Sequence, residues 1–157
     1  MKTIDIEIAV MEYIGIRQHL IVPNVSWGLG LHECDILSLS KTGYATEIEI
    51  KVSKHDLLKD NEKRHGHHNN KIAEFYFAVP ESLKLIALAN IPERAGLFVA
   101  KKDLDGTIYV KVIKSCLRNK DAVKWNEIDR YKLARLGTLR ILGLKQKIRK
   151  LQNQQLI

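Results

Sequence analysis

The stretch CDILSLSKTGYATEIEIKVS, Cys34 to Ser53, decides how this chain is read. Its second half alternates, setting Ile48, Ile50 and Val52 on one side of a strand and Glu47, Glu49 and Lys51 on the other. The first half is a second strand, and SKTG between them supplies turn residues, so the two arms form an antiparallel hairpin. Asp35 opens the first arm, with thirteen residues between it and Glu49. A hairpin of that length brings the start of one arm beside the far end of the other, making Asp35 and Glu49 spatial neighbours. Strand residues two apart on one face lie about 6.5 to 7 Å from each other, so Glu49 and Lys51 reach a single point above that face.

Glu and Lys in alternation also serve simply to solubilise an outer sheet face. Asp35 changes the reading. Two carboxylates with a lysine two positions on form the arrangement that an oxygen-liganded divalent ion requires, since Mg²⁺ takes one or two carboxylates and fills its other positions with water and phosphate oxygens. A lysine there can orient an attacking water or neutralise charge building on phosphorus. Glu47 shares the same face and is expected to be a supporting or solvent-facing acid, because a third strand carboxylate would overfill such an ion.

Upstream, TIDIEIAVMEYIGIRQHL has apolar residues at helical spacing in two sets, Ile4, Ile8, Met11 and Ile14, and Ile6, Val10 and Tyr13, with Thr3 available as an N-cap. LIVPNVSWGLGLHE reads as a short strand and a glycine-rich loop in which Gly28 and Gly30 are no phosphate-binding fingerprint, because no helix follows them. Trp27 in that loop is a base-stacking or core-sealing residue, and His32 and Glu33 border the proposed site. Downstream, KHDLLKDNEKRHGHHNNK predicts a short polar helix and a loop. AEFYFAVP predicts a buried strand stopped by Pro80, and ESLKLIALANI a helix. AGLFVA and TIYVKVIK are strands around the turn DLDG, and the region after Asp121 predicts one or two amphipathic helices. The order implies an α/β fold, a mixed sheet with helices on its faces.

The 157 residues are 45% hydrophobic, enough for one domain with a real core. No apolar run has the length of a spanning helix, and acids interrupt the N-terminus, so a cytoplasmic location is expected. Cys34 and Cys116 have no metal-ligand spacing and are expected as free thiols. A net charge of +8 points to a polyanion, nucleic acid first among them. Between Lys51 and Lys71 there are six Lys or Arg against three acids, with four of the six histidines. From Lys120 to Lys150 there are ten basic residues against three acids. The HGHH run lacks the partners of a tetrahedral zinc site, so Lys54, Lys59, Lys63, Arg64 and His65 are better read as phosphate-contacting groups beside the site.

Helix, Asp, then Glu-x-Lys across a hairpin, then an apolar strand, resembles the PD-(D/E)XK nuclease superfamily. KVSKHDLLKD, FYFAVPE and ERAGLFVA resemble its MmcB-like branch, DNA-repair nuclease-like proteins also found in phage genomes. The resemblance spans roughly Ile4 to Lys114 and departs from the family where Cys34 stands in place of Pro. It implies a restriction-endonuclease-like mixed sheet over 1–118, and the helical spacing and basic residues that follow predict a basic helical C-terminal extension over 119–157 packed on the same domain. It further implies Mg²⁺, with Mn²⁺ able to substitute, held by Asp35 and Glu49, with Lys51 completing the catalytic set. Some members add a glutamate from the first helix, for which Glu7 is preferred to Glu12. The implied activity is metal-dependent DNA hydrolysis in repair, recombination or phage DNA processing. Two alternatives stand beside it: an inactive nucleic-acid-binding module of the same fold, and a basic docking protein that engages a partner through its C-terminal helices. Leu133, Leu136, Leu139 and Leu142 leave a homodimer open.

Overall fold

The structure, a computed structural model, describes residues 1–26, 28–60 and 69–154. Trp27, Lys63, Arg64, His65, His67 and His68 lie outside the described residues. The elements run α1 (Thr3–Ile14), β1 (Leu20–Val25), β2 (Cys34–Leu39), β3 (Ala45–Ile50), α2 (Lys54–Asp60), β4 (Ile72–Pro80), a 3-10 turn and α3 (Lys84–Asn90), β5 (Gly96–Lys102), β6 (Ile108–Lys114) and α4 (Glu127–Gln154). Six strands form one sheet in chain order. β1, β2 and β3 are an antiparallel meander, β3, β4 and β5 run parallel, and β6 returns antiparallel to β5. The parallel pairs need crossovers, which α2 and α3 supply.

The predicted hairpin is β2 and β3, with Ile36 opposite Ile48 and Leu39 opposite Ala45. Its turn closes through Gly43 N–H to Ser40 O (3.0 Å), and Gly43 holds a φ of 92°, which a side chain would oppose. Pro23 sits in β1, an edge strand, where its missing N–H costs no ladder bond. β4 is buried on both faces, as its apolar run from Phe75 to Val79 requires.

One face of the sheet is covered by α1: Ile6, Ala9 and Val10 pack on Ile36, Ile48, Ile50, Ala78 and Phe98. Of the two apolar sets on this helix, Ile6 and Val10 are buried while their third member, Tyr13, is exposed, and in the other Ile4 and Ile8 are exposed while Met11 and Ile14 pack against the core. Thr3 is not the N-cap. It is the first helical residue, and the Asp5 carboxylate accepts the Lys2 N–H (2.7 Å), satisfying a donor at the helix start. The opposite face is shared. Trp125 and Leu133 pack with Val22, Leu37 and Leu39 over the meander, and Leu57 of α2 with Leu83, Ala87 and Ile91 covers Phe75, Phe77 and Leu97. The C-terminal region after Asp121 forms one helix of 28 residues.

The start of α4 is fixed by polar contacts as well. Lys71 Nζ donates to Asp129 Oδ2 (2.7 Å) and to Leu29 O (2.8 Å), and Trp125 Nε1 donates to Lys71 O (2.8 Å). Lys71, counted among the basic residues of the first cluster, thus serves the fold. Asp129→Ala leaves that ammonium without its counter-charge and is expected to lower stability by about 2 kcal/mol, less than for a fully buried pair because Lys71 keeps some water. Urea denaturation of the variant measures this.

Candidate functional site

β3 carries Ala45, Glu47 and Glu49, with Lys51 just past its end, toward the face shared by α2, α3 and α4, so this side of the strand is not solvent-facing as alternating charges suggest. Glu47 is 0% and Glu49 3% exposed. A buried carboxylate demands compensation. For Glu47 it comes from His32, whose Nε2 donates to Oε1 (2.8 Å), and from Arg94, whose guanidinium attracts it electrostatically. Burial pulls the Arg94 pKa down, and the attraction of Glu47 works against that shift. Glu47 is thus a supporting acid held by residues from two distant loops, and the expectation of a solvent-facing position does not hold for it.

The other acid of β3, Glu49, has a different partner. Lys51 Nζ donates to Glu49 Oε2 (3.0 Å), and the Lys51 backbone N–H continues the pairing with β4 through Ala78 O (2.9 Å). The β2–β3 ladder ends at Ile36 and Ile48 because Asp35 supplies its side chain instead: Oδ2 accepts the Ile50 N–H at 2.7 Å. Ile50 lies between Glu49 and Lys51, so this one bond fixes Asp35 beside both. The three side chains line a single cavity of about 360 Å³ with Asn24, Val25, Ser26, Glu33, Cys34 and Arg140.

Glu7 reaches an adjoining cavity of about 410 Å³ lined also by Asn24, Arg140, Leu144 and Lys147. The two cavities share Asn24 and Arg140. Burial raises the Glu7 pKa, the neighbouring Asp35 charge raises it further, and a hydrogen bond with Asn24 opposes them. Glu12 is exposed. Of the two helix acids, Glu7 is the one near Asp35. Since its protonated form is favoured by folding, its contribution to stability is full below the unfolded pKa and is lost as pH rises through the folded one. In metal-free buffer, Glu7→Gln is therefore expected to stabilise the protein at pH 7, and this gain shrinks at pH 4. Urea midpoints at the two pH values check the sign.

Two residues of this region were not singled out in the sequence. Arg140 comes from α4, more than a hundred positions away, and donates through Nη2 to Asn24 O (2.5 Å) and Ser26 Oγ (3.1 Å). Its only sequence signal is membership of the basic C-terminal run. Asn24 has a φ of 52°, an uncommon left-handed conformation that asparagine tolerates better than most residues. Lys54 and Lys59 are exposed on α2, which begins just past Lys51 with Ser53 Oγ accepting the Asp56 N–H (3.1 Å).

Whether these groups suit a divalent ion is a question of charge and donor type. Glu33, Asp35 and Glu49 face Lys51 and Arg140 in the main cavity, an excess of carboxylate in a protein with net charge +8. Among the described residues no three His, Cys, Asp or Glu side chains are gathered closely enough to form a metal cage. A pair of carboxylates on an open polar cavity fits Mg²⁺, which keeps several waters, and not a closed zinc site.

The fold and cavity define an α/β protein with a six-stranded mixed sheet, flanked by helices, that joins two carboxylates and a lysine at the ends of β2 and β3. No protein-family model matches the chain, and no curated protein matches it. Among solved structures it is similar to the SPO1766 protein of unknown function from Silicibacter pomeroyi, with 17% identity, a TM-score of 0.65, and coverage of 95% of this chain and 92% of that one. At this identity the likeness is one of fold. Among the described residues no helix is long and apolar enough to cross a membrane.

Proposed function

We propose that the chain is a metal-dependent DNA nuclease of the PD-(D/E)XK type, with a restriction-endonuclease-like sheet. The observation that carries this reading is the Asp35 to Ile50 N–H bond, which sets Asp35 beside Glu49 and Lys51 on one cavity. Asp35 and Glu49 would hold Mg²⁺ or Mn²⁺, which when bound acidifies water and polarises a phosphodiester. Glu7, which feels the Asp35 charge from the adjoining cavity, would ionise more readily once a cation neutralises Asp35.

The chain's own groups do the rest. Glu49 holds the Lys51 ammonium at the cavity, where it can hydrogen-bond a phosphate oxygen or the attacking water. Glu47, fixed by His32, stiffens the strand behind Glu49. Arg140 stands at the junction of the two cavities, and with Lys54 and Lys59 it offers positive charge to a phosphate backbone. Each exposed lysine removed should reduce the salt dependence of DNA binding by about one counterion. The resemblance to the MmcB-like branch supports DNA repair, recombination or phage DNA processing as the setting. A panel of single-stranded, duplex, branched and mismatched DNA, incubated with Mn²⁺, Mg²⁺ or EDTA, tests the activity. Cleavage in the metal arms alone supports it, and DNA binding with no metal-dependent product would identify an inactive binding module instead.

A further inference from the structure

Beyond Arg140, every described residue of α4 except Gly143 is exposed. An isolated helical segment of that length is marginal in water unless an apolar face is covered. This one has such a face: Ile141, Leu144, Ile148 and Leu151 follow one another at intervals of three, four and three, the a/d spacing of a coiled-coil seam, and each is more than half exposed. Its flanks are basic. Arg140 and Lys147 border one side and Lys145 and Arg149 the other, and from Leu139 to Gln154 there is no acid. Two such seams facing each other would set like charges together, so the tail is a poor partner for another copy of itself.

The same chain carries a seam of opposite charge. On α1, Ile4 and Ile8 are about half exposed and spaced by four, and the equally exposed Met1 stands three positions before Ile4, ahead of the helix, whereas Met11, three beyond Ile8, packs against the domain's own core. Asp5, Glu7 and Glu12 flank that line, and α1 contains no basic residue. The basic seam runs eleven residues, about 15 Å of helix, and the acidic one is shorter, its helical members Ile4 and Ile8 lying about 6 Å apart along the axis. Within one copy neither seam covers the other, since Ile4, Ile8, Ile141 and Ile148 all stay about half exposed, and Glu7, Leu144 and Lys147 line a groove of about 410 Å³.

We infer that the tail of α4 docks on α1 of a second copy, and reciprocally, so that the chain assembles as a two-fold dimer through paired acidic and basic seams. Such an isologous interface makes the tail-to-α1 contact twice, so that both seams of both copies are buried and none is left free. It also brings the partner's basic tail beside Glu7, at the margin of the candidate site.

Sedimentation velocity of the full chain between 1 and 100 μM tests the inference directly. A concentration-dependent dimer is expected, weakened at least tenfold by Ile148→Glu and equally by Ile8→Glu. Both changes lie on exposed positions, and circular dichroism checks that each variant stays folded. Charge reversal separates the seams: Glu12→Lys alone and Lys145→Glu alone should each weaken the dimer, and mixing the two proteins should restore a heterodimer. A chain that stays monomeric throughout overturns the inference. So does a dimer indifferent to Ile8→Glu, or a tail whose substitution lowers DNA affinity without changing association. Cross-linking of Ile8→Cys with Ile148→Cys inside a single copy, shown by mixing isotopically light and heavy protein, would reveal closure onto its own α1 and overturn it too.

Discussion

Lys51→Ala is expected to lower metal-dependent DNA cleavage by about 10²- to 10³-fold, the loss seen when one preorganised donor to a developing charge is removed. The fold should survive, because the bond from the Lys51 backbone N–H to Ala78 O does not need the side chain. DNA binding should also persist, since it rests on many phosphate contacts. Asp35→Asn provides the matched test from the other arm of the hairpin. The amide retains an oxygen to accept the Ile50 N–H, and so keeps the local geometry, while the negative charge that would hold the cation is gone. Cleavage left intact by both substitutions removes the assigned site. Loss in both with unchanged gel shifts assigns the chemistry to these residues and not to DNA affinity.

Gly96→Ala should be the most disruptive single-methyl change in the sheet, at about 3 kcal/mol. Gly96 stands directly opposite Tyr76 in the β4–β5 pairing. A Cβ built there would overlap the Tyr76 ring and come within 2.9 Å of the Cys116 backbone nitrogen. The ring has little freedom to retreat, because it stacks on Phe98 with centroids 4.6 Å apart and an interplanar angle of 30°. Overpacking of this kind forces side chains off their rotamers or shifts the backbone. Urea unfolding measures the cost, and Tyr76→Leu should recover part of it by vacating the space. A Gly96→Ala protein within about 0.5 kcal/mol of the parent would show that β4 and β5 can separate more easily than this packing allows.

Much of the fold follows from local pattern. The hairpin was legible because period-two alternation on its second arm, an apolar first arm and a glycine-bearing turn agree, and agreement between levels specifies register. β4 was legible because its aromatic and aliphatic run, unbroken from Phe75 to Val79, leaves no face for water. The burial of α1 was not, since Ile4 and Ile8 are as apolar as Ile6 and Val10 and only the sheet decides between them. Thr3 looked like a cap because threonine often is one, yet the carboxylate two residues on takes that part.

The candidate site divides along the same line. Asp35, Glu49 and Lys51 could be placed together from the hairpin alone, being within one supersecondary unit. The depth of Glu47 could not, because its burial is made tolerable by His32 and Arg94, neither of which a strand pattern reveals. Arg140 and Lys71 show the limit for basic clusters. One reaches the cavity and the other neutralises a buried aspartate, although both appear in sequence as cations among cations.

The account rests on two acids from opposite arms of one hairpin serving the same cation. Titration of the metal-free protein with Mn²⁺, followed by electron paramagnetic resonance of the free ion, measures this without depending on any choice of DNA substrate. The expected result is one principal Mn²⁺ site per chain, displaced by excess Mg²⁺ and weakened at least tenfold by Asp35→Asn and by Glu49→Gln alike. Mn²⁺ binding that ignores both substitutions, or that responds to one alone, would contradict a shared ion.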